Sequence, residues 1–233
     1  MAEAGIERIV VLGVDFMSEN VRAMLDAAGH EQVEVYRVAA DPIGCSLAES
    51  AEALAYGAYL TRASQQPRSL HVVYINTSLE TKARAHHLVP TITCTSSNVV
   101  PTVLTAFDQV PDLHVWFGPD TYMGENLREL FEGLAALDDE AIAAVHPGHD
   151  RASVASLLQR FHYFEQGTCI VHHMFGRDVV KTVQDHYDDV YVTAHLEVPG
   201  EMFQLALEAQ RRGRGVVGST SNILSFIEDR TRE

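Results

Sequence analysis

Short, β-branched apolar runs recur along this chain, and each is followed by an amphipathic stretch long enough for a helix. That alternation constrains the fold more than any other feature. It argues for parallel sheets covered by helices, because parallel strands need crossover connections and are buried on both faces. Arg8 to Val14 reads as a buried strand, and Ser18 as the cap of a helix ending at Gly29. Val33 to Val38 is a second strand, and Cys45-Ser46-Leu47 opens a helix that runs to about Ser64. Leu70 to Asn76, Thr91 to Cys94 and Leu113 to Phe117 are the next strands, separated by helices over Ser78 to His87 and Asn98 to Phe107. Helices follow near Gly124 to Ala136, Asp138 to Ala144 and Ser153 to Phe161. Cys169 to His172 forms a further short segment. Then come a helix near Arg177 to Tyr187, a strand at Val190 to His195, a helix at Gly200 to Arg211, a strand at Gly215 to Val217 and a helix from Ser219 onward. His146-Pro147-Gly148-His149-Asp150 reads as a surface excursion within a long insertion between strand-like segments.

A chain of 233 residues with 46% hydrophobic residues can bury a sizeable core. With 17 Lys+Arg against 32 Asp+Glu, the formal charge is −15, which argues against nucleic acid and anionic membranes as partners. An anionic substrate remains admissible, because backbone amides at helix starts bind anions locally. No apolar run approaches the ~20 residues needed to cross a bilayer. The N-terminal stretch Met1 to Glu7 carries acids and lacks the marks of a signal or transit peptide. Three scattered cysteines, Cys45, Cys94 and Cys169, suit a reducing compartment better than a disulfide framework. GxGxxG and GxxxxGK[ST] fingerprints are both absent.

In parallel α/β folds the chemistry collects at the carboxyl ends of strands. Five such places carry unusual polarity: Pro42 to Leu47, Tyr74 to Ser78, Thr93 to Asn98, Gly167 to His173, and His195-Leu196-Glu197 with Gly218-Ser219-Thr220-Ser221. Cys45 stands at a helix start, where the dipole favours a thiolate. Ser96 with Asn98, and Ser219 with Thr220, offer hydroxyls and free amides to a carboxylate or phosphate. Tyr74 and Asn76 are two apart on a strand and share a face, as do His195 and Glu197, which pairs an imidazole with a carboxylate for proton transfer. Plainer readings stand beside these. Ser96 and Ser219 serve equally as helix caps. Tyr74 could be an ordinary strand aromatic. His172 and His195 read first as hydrogen-bonded core residues, and His86, His87, His146, His149 and His173 as surface or insertion residues. A zinc site of Cys45, Cys169 and His172 is a further alternative, without a close CxxC pair to support it.

Taken together and in order, the segments resemble the quinolinate synthase family. Those that carry the likeness are Leu12-Gly13-Val14-Asp15-Phe16-Met17, Gly44-Cys45-Ser46-Leu47-Ala48, Val73-Tyr74-Ile75-Asn76-Thr77-Ser78, Cys94-Thr95-Ser96-Ser97-Asn98, Gly118-Pro119-Asp120, Gly167-Thr168-Cys169-Ile170-Val171-His172, Ala194-His195-Leu196-Glu197-Val198-Pro199 and Gly218-Ser219-Thr220. The insertion between Gly124 and Gly167 is similar to the long form found in plants and some bacteria. The resemblance implies an α/β fold of three αβα units in a pseudo-threefold arrangement, here spanning 1–65, 66–165 with its helical insertion, and 166–233, with the first and third incomplete. It implies a [4Fe–4S] cluster held by three cysteines with one iron open to substrate, and condensation of iminoaspartate with dihydroxyacetone phosphate to quinolinate on the route to NAD. Cys45 and Cys169 match cluster ligands, with His172 beside the second. Tyr74, Asn76, Ser96, His195, Glu197, Ser219 and Thr220 match substrate-binding positions, and Glu197, His195 and Tyr74 those closest to the chemistry. Cys94 matches no ligand. L-aspartate oxidase is the implied source of iminoaspartate, and the implied setting is cytoplasmic, or the plastid stroma for a plant or alga. The family's His-x-Tyr pair and third cluster cysteine have no counterpart here. The expectation is a chain that holds a cluster poorly by itself, and the alternative is a non-catalytic, anion-binding remnant.

Overall fold

The computed structural model describes residues 5–187 and 189–232. The first four residues of the stretch read for a targeting signal lie outside them. Three parallel sheets form the framework. The first pairs β1 (Arg8–Val11) with β2 (Glu34–Arg37), joined through α1 (Asp15–Ala27). The chain continues through α2 (Ser46–Ser50) and α3 (Leu54–Gln65) into the central sheet. That sheet holds β3 (Ser69–Tyr74), β4 (Thr91–Cys94), β5 (His114–Gly118) and β6 (Phe161–Tyr163) in the order β4-β3-β5-β6. Its crossovers use α4 (Leu79–Leu88), α5 (Val99–Gln109), and then α6 (Thr121–Ala135), α7 (Asp139–Val145) and α8 (Arg151–Leu158). After α9 (Ile170–His173) and α10 (Arg177–His186), β7 (Val192–His195) and β8 (Gly215–Gly218) flank α11 (Gly200–Arg211) and form the third sheet, followed by α12 (Thr220–Arg232).

The central sheet is buried on both faces, as its unbroken apolar runs require. Val72, Val115 and Phe117 face one cluster with Leu104, Met123, Leu127 and Phe131. Trp116 faces the other, with Tyr56, Tyr59, Leu60 and Phe164. His71 lies fully buried on this second side, bonded to Tyr56 Oη at 2.8 Å and Thr91 Oγ1 at 3.2 Å. Burial pushes its pKa down to about 3, so it is a neutral strut. The first cluster runs on into the third sheet through Ala194, Leu196, Val198 and Phe203.

Several expectations change. Ser18 is not a cap: it lies inside α1 and donates to the Asp15 carbonyl, while Val14 holds the N-cap position without a side-chain bond. β1 is not a buried strand. Val10 is 60% exposed, with Tyr36 and Val38 also exposed on or beside β2, because α1 covers only part of this small sheet. The helix opened at Cys45 breaks at 51–53, so α2 is little more than one turn. Phe161, read as the last residue of a helix within an insertion, instead opens Phe161–Tyr163, the fourth central strand, paired to β5. Gly124 permits that pairing to be covered, since a Cβ there would meet Tyr163 Cβ at 2.5 Å. His149 is no surface residue: it is buried, with Nε2 2.8 Å from the Leu104 carbonyl oxygen. Within the same turn Asp150 caps α8 in a reciprocal pair with Ser153.

Candidate active site

Strand ends of the central and third sheets converge on one carboxylate. β3 ends at Tyr74, whose buried phenol donates to Glu197 Oε1. β7 ends at His195, and Glu197 sits in the turn just beyond it. His195 Nδ1 lies 3.4 Å from Oε1, and His172 Nδ1, on α9, lies 3.1 Å from Oε2. The two imidazoles stack with centroids 6.2 Å apart and planes 17° from parallel. Burial, then the Glu197 charge, hold the Tyr74 phenol well above its usual range, and a side-chain hydrogen bond with Ser96 works against that rise. Tyr74 therefore keeps its proton at neutral pH and acts as a hydrogen-bond donor. Burial lowers the pKa of His195, against the pull of Glu197.

Asp120 completes the group. It is fully buried, caps α6 by accepting from Met123 N–H at 2.8 Å, and its ligand-type oxygen lies with those of His172 and Glu197 in a set all within 4.8 Å of one another. Burial pushes its pKa up to about 8, and the nearby Glu197 charge adds to the effect. Asp120 Oδ2, His172 Nδ1 and His195 Nδ1 are all buried without a hydrogen-bond partner. The short N–O distances from both imidazoles to Glu197 are close approaches that lack hydrogen-bond alignment. Buried polar atoms are normally paired, so this concentration marks a place built for something polar.

Two donors, Asn126 buried and Lys82 half-buried, hold the loops. Asn126, on α6, donates to the carbonyls of Leu196 and Val198, each at 2.8 Å, and so grips the turn on either side of Glu197. Lys82, on α4, does the same for Ile75 and Thr77 on either side of Asn76, at 3.1 Å to Ile75. Burial lowers its pKa to about 8. Neither was singled out from sequence, where a mid-helix Asn or Lys is indistinguishable from a solvated one. Asp120 carries a readable signal, as an acid at the C-terminal end of a parallel strand that begins a helix, although Gly118-Pro119-Asp120 reads from sequence only as a loop.

Asn76 lies past the end of β3, half-buried in the bend, so strand alternation does not aim it beside Tyr74. Ser96 precedes the N-cap of α5, Asn98, and its hydroxyl bears on Tyr74 instead of capping. Ser219 does cap: its hydroxyl donates to Asn222 Oδ1 at 2.6 Å and accepts from Asn222 N–H, at the start of α12. Thr220 is exposed.

Cys45 and Cys169 are free, partly exposed thiols at the starts of α2 and α9. Their loops touch, since Ile170 N–H donates to Ser46 Oγ at 3.2 Å. Gly167 allows this approach, for a Cβ there would lie 2.0 Å from the Pro119 carbonyl oxygen. Cys94 is fully buried, its thiol pushed up to about 12 by burial, which suits a packing role. Cys45, Cys169 and His172 do not converge as a three-ligand set among the described residues, so the zinc reading finds no geometric support. No described helix is long and apolar enough to cross a membrane.

The whole chain, residues 1–233, matches the family described as quinolinate synthetase A protein. It is 64% identical to a chloroplastic quinolinate synthase of Nicotiana tabacum and 61% identical to that of Oryza sativa subsp. japonica, each over all 233 residues. It is also 27% identical, over 94% of its length, to a quinolinate synthase of Prosthecochloris aestuarii, of which it covers 52%. The chain spans about a third of the plant relatives' length, 32% and 33% for the two named. Sequence, strand-end chemistry and α/β framework agree, and the chain belongs to the quinolinate synthetase A family.

Proposed function

We propose that this chain forms part of the active site of a quinolinate synthase, acting in NAD biosynthesis on iminoaspartate and dihydroxyacetone phosphate. The observation that carries the reading is the convergence of Tyr74, His172, His195 and Asp120 on Glu197. Glu197 is the acid/base, poised against a phenol that keeps its proton. His195 and Tyr74 hold the reacting oxygens, with Ser96 beside Tyr74 and Asn76 in the loop that Lys82 grips. The start of α12 beside Thr220 would face a phosphate or carboxylate with backbone amides, while the Ser219 hydroxyl serves as the cap. The units 1–65, 66–165 and 166–233 each contain one of the three sheets, which supports that division.

A [4Fe–4S] cluster fits the donor set in part. Cys45 and Cys169 are the two free, accessible thiols on touching loops, as thiolate ligation requires. When bound, the cluster would supply an open iron as a Lewis acid. L-aspartate oxidase is the proposed source of iminoaspartate. The plant relatives are chloroplastic by name, which supports a plastid setting for a plant chain. The anion-binding remnant reading draws less support, because the Ser219 hydroxyl is engaged within its own helix start and Ser96 bears on Tyr74.

The test is to reconstitute the chain with iron and sulfide under nitrogen, measure quinolinate binding by calorimetry, and assay quinolinate formation. Binding that weakens at least tenfold in Glu197→Gln supports the reading, and turnover would establish it. A chain that neither binds nor forms quinolinate would refute it.

A further inference from the structure

Two carboxyl groups share this pocket, and their surroundings differ. Glu197 receives the Tyr74 phenol on Oε1 and has His172 Nδ1 3.1 Å from Oε2. Asp120 accepts the Met123 N–H on Oδ1, with the Tyr122 amide also bearing on the carboxyl, while Oδ2 is buried with no partner. Two carboxyl groups this close and this dry do not both stay ionised. The buried, unpartnered Oδ2 of Asp120 is the place the geometry offers for the proton.

We propose that Asp120 is a positioning residue of this pocket: a neutral acid that keeps its proton on Oδ2 and acts through Glu197 and His172. Its neutrality spares an arriving carboxylate or phosphate a repelling anion at this wall of the pocket. The groups that bear on it are Glu197 from the turn after β7, His172 from α9, Tyr74 from β3, and Glu125 with the Met123 and Tyr122 amides from α6 itself. Glu197 and Glu125 both favour its protonated form, as does burial, while the two amides oppose it. The role rests on reading this pocket as the substrate site, but the proton's location does not.

Asp120→Asn separates the possibilities, because asparagine is isosteric with the neutral acid. Its amide oxygen can still accept from Met123, and its NH₂ replaces the O–H donor. The full chain is labelled with ¹⁵N-histidine, and the His172 ring signals are assigned with His172→Gln. Expected is a wild-type His172 spectrum that matches Asp120→Asn at neutral pH and departs from it as pH rises through about 8. Thermal melting gives a second reading. A carboxyl whose folded pKa is raised loses stability as pH climbs from its ordinary value toward the raised one. Asp120→Asn should therefore melt above wild type at about pH 8 and level with it at about pH 4. A His172 spectrum already altered at neutral pH, or a variant that melts lower at high pH, would overturn the proposal. Neither readout depends on quinolinate formation, so this inference and the proposed activity can fail separately.

Discussion

Tyr74 and Glu197, 123 residues apart in sequence, meet through a hydrogen bond in which the phenol donates to the carboxylate. A donor at the end of the central sheet thereby fixes a carboxylate carried beyond the third. Tyr74→Phe keeps the packing and removes the donor. A hydrogen bond to a charged group contributes about 1.5–3 kcal/mol to stability, so losing it inside the fold should lower the melting temperature. Quinolinate affinity should fall as well, because Glu197 loses the contact that fixes it. Calorimetry beside a melting curve checks both, and unchanged affinity would remove Tyr74 from the site.

Asn126 grips the turn of Glu197 from a fully packed helix face. Asn126→Ala leaves two buried carbonyls without their donor, and the cost should be about 1–3 kcal/mol for each group left unsatisfied. Urea unfolding measures it. Lys82→Met should loosen the Asn76 loop in the same way, lowering ligand affinity more than global stability, because that loop lies nearer the surface.

Little of this clamp architecture could be read from sequence. The helices and most strands were legible because apolar periodicity reports burial directly, and α11 and β4 fall where the pattern puts them. The strand Phe161–Tyr163 escaped because three residues are too few to show a period, and its partner β5 is more than forty residues upstream. The break at 51–53 escaped because Ala and Glu favour helix, and tertiary contacts overrode them. In the site, Tyr74, His195 and Glu197 announced themselves at strand ends. The aim of Asp120 into the same space depends on how two sheets sit together, which no local pattern encodes.

Gly167 brings the Cys169 loop against Pro119 and Ser50. Gly167→Ala would force a backbone carbonyl aside, since the Cβ would lie 2.0 Å from it. The loops of Cys45 and Cys169 should separate. Iron retained after anaerobic reconstitution should drop by half or more, with far-ultraviolet circular dichroism unchanged. Wild-type iron content in the variant would show that the thiols do not depend on this contact.

His71 gives a pH signature independent of the pocket. Its folded pKa, about 3, lies below its ordinary value of 6.5. The unfolded chain therefore takes up a proton that the folded one refuses, and the contribution of His71 is complete above pH 6.5 and lost as pH falls toward 3. Stability should decline by up to about 1.4 kcal/mol per pH unit from this residue within that window. His71→Gln should flatten the acid limb of a stability profile by about one proton. An identical slope in both proteins would rule the residue out as its source.

The described strands form three sheets with no backbone ladder running from one to the next. Alignment of the candidate site across the seam between sheets therefore rests on side chains, loop clamps and shared core packing. Such a seam opens at lower free energy than any sheet melts. Mild denaturant or modest heating should abolish ligand recognition while spectroscopy still registers intact helices and strands, which makes this protein's working temperature a property of its seams.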